Sequence, residues 1–382
     1  VKVEYGNIIP ATNAQMRVYT AQNMQPDSTL YNITGAVRTE NIDKTRLVKV
    51  INELVARHES LRTHFENVDG IIYQVIDENT SVIVKEITDI NDFAKPFDLS
   101  VAPLMRVGYN ENTIAIDIHH IIADGETINI LFNEFNELYM GNELPEAVQY
   151  GEFAVTDGYS ESDEKYWLDL FREDVPEFRL PFDFSKGNTQ SFNGNTHYCK
   201  IEYSLHEKIE EKCRKLCVTP YVYYTACYSI LLSKYSGIED IVIGTPVNGR
   251  EGRFINTVGM FVNTVALRTK PEGNKSVETF FNEVKEDSVC AIDKQRYPFG
   301  ELVKKLGIET TGRNPLFDTM FAYQHTVIGA DGKTHLLQQN INTAKYDMTF
   351  NVTPEAENVI VAVEYCSDLF REKTIEKFIE SY

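Results

Sequence analysis

Several common chemical signatures are missing from these 382 residues, which include one tryptophan, eight histidines and six cysteines. Cys199, Cys213, Cys217, Cys227, Cys290 and Cys366 all lie in the second half, with no CxxC pair and no Cys/His ligand spacing. Zinc staples and thioredoxin-type redox chemistry are therefore not expected. Cys213 and Cys217 stand four apart on an expected helix and read as buried free thiols, and a reducing cytoplasmic location follows as the expectation. No apolar run approaches the roughly 20 residues that a membrane helix requires, and the opening VKVEYGNIIP lacks signal-peptide architecture. No Lys/Arg cluster is present; 37 basic residues against 57 acidic ones leave a formal charge of −20, which repels polyanions and argues against a nucleic-acid partner. There is also no Gly-rich phosphate loop and no short internal repeat.

What is present is a 42% hydrophobic chain, long enough for two lobes of ordinary size, in which strand-like and helix-like segments alternate throughout. That alternation implies an α/β or α+β architecture with helix-covered sheets. The spacing predicts strands over 30–37, 113–120, 197–203, 240–244, 317–323 and 358–365. It predicts helices over 44–58, 126–139, 205–216, 277–294 and 371–382, and one from Pro220 to near Gly237 with Thr219 as N-cap. The turn-rich stretches 145–163 and 180–195 place a lobe boundary near residue 160, giving 1–160 and 161–382. The missing initiator Met and the apolar face Ile375, Phe378, Ile379, Tyr382 make both ends read as cuts within a longer polypeptide.

Candidate chemistry concentrates at Ile118-His119-His120-Ile121-Ile122-Ala123-Asp124-Gly125. Two histidines end a hydrophobic strand, and neighbouring strand residues point to opposite faces, so one imidazole can enter a cavity while the other packs behind it. A neutral imidazole can take a proton or donate a hydrogen bond, and a glycine leaves a backbone N–H approachable. Two other readings stand beside this one: a structural histidine at a strand end, and a metal site of His119, His120 and Asp124, which the divergence of adjacent strand residues disfavours.

The segment HHIIADG resembles the HHxxxDG signature of the condensation-domain superfamily, which includes chloramphenicol acetyltransferase. Further segments resemble that family's motifs in order: Ala14–Tyr19 (AQMRVY), Arg57–Phe65 (RHESLRTHF), Tyr150–Val155 (YGEFAV), Ile243–Arg250 (IGTPVNGR), Gly259–Thr264 (GMFVNT) and Arg313–Asp318 (RNPLFD). Asp293–Phe299 (DKQRYPF) is a degenerate HQxxPF element without its histidine. By this resemblance the chain is identified as a condensation domain of a non-ribosomal peptide synthetase.

The resemblance implies two chloramphenicol-acetyltransferase-like lobes in a V-shaped pseudo-dimer, with a tunnel between them and a bridging floor segment near 244–264 that includes Asn263. It implies amide formation between a donor acyl thioester and an acceptor aminoacyl thioester. His120 would act as general base or would position the amine and the tetrahedral intermediate. His119 would be structural, and Gly125 would present its N–H to the thioester. Asp124 would pair with an arginine, Arg250 being the first candidate, with Arg62 supporting the same region. The 4'-phosphopantetheine would arrive on donor and acceptor carrier proteins, beside an adenylation domain in the same chain, and the domain itself would bind no cofactor or metal. An epimerization domain of the same superfamily is the nearest rival, although Glu126–Leu131 (ETINIL) departs from its SWRIL-like continuation. A catalytically inactive module recruiting carrier proteins or tailoring enzymes is the rival of another class.

Overall fold

Periodicities of about 3.6 and of two residues alternate along the chain, and each resolves into an element of the matching type. The computed structural model describes residues 4–39, 42–89, 93–173, 179–308, 312–324, 335–336, 342–355 and 358–382. In chain order the elements are β1 (Ile8–Pro10), α1 (Asn13–Met24), β2 (Asn32–Arg38), α2 (Lys44–Arg57), β3 (Thr63–Val68), β4 (Ile71–Ile76) and β5 (Val84–Glu86). Next come β6 (Met105–Tyr109), β7 (Thr113–His119), α3 (Gly125–Met140), α4 (Tyr150–Ala154), α5 (Glu161–Leu170), β8 (Gly194–Glu202), α6 (Tyr203–Leu216) and α7 (Pro220–Ser236). The last are β9 (Ile241–Val247), β10 (Asn263–Thr269), α8 (Val277–Asp293), α9 (Phe299–Leu306), β11 (Thr319–Tyr323), β12 (His335–Leu336), β13 (Met348–Pro354), β14 (Asn358–Cys366) and α10 (Glu372–Ser381).

Two compact units result, one of Val1–Gly158 with Asn248–Val262 and Val327–Gln339, the other of Tyr159–Val247, Asn263–Thr326 and Asn340–Tyr382. The first unit holds a three-stranded sheet in the order β1-β4-β3 and a five-stranded sheet in the order β12-β2-β7-β6-β5. Within the latter, β2 and β6 flank β7 antiparallel, in register through Gly35↔Ile116 and Val107↔Ile116. Asp43 caps α2 through the Arg46 N–H, and the helix buries Leu47, Val50, Ile51, Leu54 and Val55, at about 1.5–3 kcal/mol for each large side chain removed from water. Leu47, Ile51, Leu54 and Val55 of that face join Leu61, Phe65, Leu104, Ile118, Ile121 and Ile122 in one core.

The second unit is built on a six-stranded mixed sheet, β10-β9-β11-β13-β14-β8, with β9, β11 and β13 parallel and the remaining pairs antiparallel. Thr219 accepts from the Val222 N–H, Pro220 occupies the first turn of α7, and Gly237 ends that helix in the left-handed region. All six cysteines are free. Cys213 is buried, but Cys217 is exposed, contrary to the sequence expectation, because it is the left-handed C-cap of α6 and leaves the apolar face.

Along α8, burial beside Glu283 and Glu286 pushes the Asp287 carboxyl up to about 6 from its ordinary 3.8, against the pull of Lys275. The folded chain therefore holds a proton that the unfolded chain has released, and stability from this group drains away as pH rises through that window. Asp287→Asn should raise the melting temperature at about pH 7.5, with a gain that vanishes as pH falls towards 4. Melting curves across this range check it; an equal gain at all pH values would assign the effect to packing.

Candidate active site

Strand β7 delivers the histidine pair, and the ladder places Asn32 opposite His119. The sequence expectation carried the strand through His120, but it stops at His119. The His120 N–H still reaches the Tyr31 carbonyl at 2.7 Å, while its ring turns the chain by meeting the Ala123 carbonyl at 2.9 Å. Because a carbonyl oxygen can only accept, Nδ1 of His120 carries a proton, and in the neutral tautomer with that proton Nε2 is the acceptor. His120 is half-buried.

His119 is fully buried, and its ring serves the loop. Nδ1 accepts from the Ile121 N–H at 3.1 Å, so the proton lies on Nε2, which meets Gln22 Oε1 at 3.3 Å. The Gln22 amide nitrogen donates to the carbonyls of Gln25, Pro26 and Ser28, which leaves Oε1 to receive that imidazole N–H. Phe97 packs edge-on to the ring with centroids 5.9 Å apart. With these bonds made, His119 and Asp124 do not offer a ligand set with His120. Among the described residues, the group able to hold a cation is His197, Glu372 and Glu376, whose ligand atoms lie within 4.8 Å of one another.

Asp124 ends the loop as the N-cap of α3, its Oδ1 accepting from the Thr127 N–H at 2.9 Å. Arg250 grips the same carboxylate with both guanidinium ends, each at 2.7 Å, and the N–H groups of Phe261 and Val262 donate to it at 3.0 and 3.1 Å. Arg250 also bonds the Thr257 carbonyl, the Asn248 amide oxygen and the Thr127 hydroxyl, and lies over the Phe261 ring at 4.4 Å. This bidentate pair is buried on both sides. Segment 248–262 is thereby tied to the first unit although it is remote in sequence. Gly249 makes the approach possible: its φ is +68°, and a Cβ there would stand 2.2 Å from the Phe261 carbonyl oxygen.

Gly125 is exposed at the first position of α3, where a helix supplies no internal partner for the N–H. A Cβ built there meets no atom within 4 Å, so packing does not require glycine. Arg62 lies elsewhere in the first unit. Its described hydrogen bond runs 3.3 Å to the Asp77 carbonyl, and none joins it to residues 119–125, because the turn at 59–62 aims its side chain at the β4 end. Asn263 opens β10 in the second unit, with its amide 2.5 Å from the Gln295 carbonyl and its oxygen accepting from the Thr264 N–H.

Sequence reasoning passed over Thr127 and Asp117. Thr127 is fully buried, donates to the Gly259 carbonyl and accepts from the Gly259 N–H. Asp117 is fully buried on β7 and bonded by Arg106, Asn32 and Thr34; burial raises its carboxyl above the ordinary range, against the pull of Thr34 and Arg106. Asn32 adjoins Tyr31, whose carbonyl holds the His120 backbone. The available signal was parity, since Asp117 is a charge two residues from His119 on a buried face.

The first class these features define is a mixed α/β protein with a histidine loop locked by a buried Asp–Arg pair. A family model for the condensation domain matches residues 5–382. Gramicidin S synthase 2 of Brevibacillus brevis is 37% identical over 404 residues, covering 98% of this chain and 9% of that protein, so the chain spans about a tenth of this relative's length. Among solved structures, a condensation domain from the monacolin K polyketide synthase MokA is similar with a TM-score of 0.85 at 22% identity, over 98% of this chain and 95% of that one. A four-domain non-ribosomal peptide synthetase, holo-AB3403, gives 0.86 at 18% identity, over 99% of this chain and 32% of that one. The chain belongs to the condensation-domain family.

Proposed function

We propose that this chain forms an amide bond between a donor acyl thioester and the amine of an acceptor aminoacyl thioester, both carried on the phosphopantetheine arms of carrier proteins within a non-ribosomal peptide synthetase. The observation that carries this reading is the fixed tautomer of His120, whose Nδ1–H is committed to Ala123. Nε2 accepts a hydrogen bond from the acceptor amine and takes its proton as nitrogen attacks the donor carbonyl carbon. The C–S bond then breaks, and the proton passes to the leaving thiolate. Oxyanion charge develops beside the α3 N-terminus, where the Gly125 N–H and the helix dipole stabilise it. Asp124 and Arg250 hold this geometry and exchange no protons with substrate.

The test loads donor and acceptor onto separate carrier proteins and looks for the amide. Epimerised donor without amide would replace this reading with the superfamily's epimerization reaction, and carrier binding without turnover would favour a recruitment module. Gly125→Ala should melt with the parent, since its methyl enters open space, yet form amide more slowly by about tenfold or more as the carbonyl is pushed from its donor. Unchanged turnover in that variant would remove Gly125 from the reaction.

A further inference from the structure

We propose that Gly35 is a specificity-determining residue, which keeps an apolar cavity of the first unit open for a hydrocarbon group on the donor thioester; the donor assignment rests on the function proposed above. The cavity is half open and holds about 160 Å³ between β2, β6 and β7 on one side and α2 and α3 on the other. Its lining includes Leu54, Val107, Ile116, Ile128 and Phe132, and its polar side chains among the described residues are Thr39 and Asn136.

Gly35 lies in the middle of β2, where glycine weakens a strand and commonly marks a bulge, a bend or the close approach of another group. The ladder with β7 runs unbroken through Gly35↔Ile116, which excludes a bulge. Its φ is not in the left-handed region, and a Cβ would meet no atom within 4 Å, so neither conformation nor packing calls for glycine. What remains is the space itself, because Gly35 is part of the cavity wall.

That space is suited to hydrocarbon. An engineered apolar cavity of about 150 Å³ stays dry and takes up benzene, so this volume suits a group of about six carbons, whereas a charged group would lose its hydration without replacement. The position favours the donor. Ile114 and Ile116 of the cavity wall lie on β7, the strand that runs into the histidine loop. Ile128 follows Gly125 by about one helical turn, or about 5 Å, so the cavity wall begins beside the N–H assigned to the donor carbonyl. The hydrocarbon can be the side chain of a donor residue or the tail of a fatty acyl group, both presenting the same chemistry to these walls.

The test measures binding of pantetheine thioesters to the 382-residue chain by calorimetry: acetyl, hexanoyl and octanoyl in one arm, alanyl, leucyl and phenylalanyl in the other. The parent should bind the larger members of at least one arm about tenfold or more tighter than the smallest, and the arm that does so identifies the source. Gly35→Leu, with a melting temperature at or above the parent's, should bring that ratio close to one. If this variant melts early, Phe132→Ala replaces it and should move the preference towards longer groups. Equal affinity for small and large donors, or a ratio untouched by both variants, would overturn the proposal. Selective binding without amide formation would instead overturn the catalytic reading and leave the cavity assignment standing, and amide formation without selectivity would do the reverse.

Discussion

His120→Ala should slow amide formation between carrier-bound donor and acceptor by about 10²- to 10⁴-fold, the range for losing a positioned proton acceptor. Its stability should change little, because the ring is half-buried and its described hydrogen bond, to the Ala123 carbonyl, is worth about 1 kcal/mol. His119→Ala provides the contrast. That ring is fully buried and bonded to both Ile121 and Gln22, so its removal should lower the melting temperature before it lowers the intrinsic rate. Measuring turnover and melting on both variants separates the roles. Turnover of His120→Ala equal to the parent would sink the proposed mechanism, and the opposite ordering of the two variants would exchange the assignments.

Arg250→Met should cost about 3–5 kcal/mol, on the order of 10 °C in melting temperature, because the Asp124 carboxylate would stay buried without its counter-charge. Asp124→Asn removes the charge while keeping a side chain able to cap α3. The double variant should therefore be more stable than the sum of the two losses, with a coupling of roughly 0.5–3 kcal/mol. Additive losses in chemical denaturation would show that the pair is not the clamp described here. Activity should fall along with stability in these variants, since the clamp spans Asp124 at the start of α3 and the Phe261 and Val262 N–H groups of the distant segment. Loss of activity at Asp124 is accordingly no sign of a catalytic carboxylate.

Much of the local architecture was legible before any coordinates. The apolar spacing of Leu47, Val50, Ile51 and Leu54 located α2, and Thr219 with Pro220 located the start of α7. These signals are local, set by the period of side chains around a helix and by the first turn's unsatisfied N–H groups. The strand containing His119 and His120 was legible for the same reason. Its end was misplaced by one residue, because the turn depends on the His120 ring meeting the Ala123 carbonyl, a side-chain choice that periodicity does not report.

The sequence by itself determined the kinds of element, the family motifs, and that His119, His120, Asp124 and Gly125 stand together, since they are neighbours along the chain. Tertiary structure decided which imidazole nitrogen carries each proton, where the side chain of Arg62 goes, and that Gly249 lets residues 248–262 join the first unit. It also decided that Gly35 faces empty space. The division has one physical cause. Helix and strand periods are written within a few residues, whereas side-chain hydrogen-bond partners, buried charges and cavities are settled only when the folded chain brings side chains together, some from neighbouring turns and others, as with Asp124 and Arg250, from more than a hundred residues away.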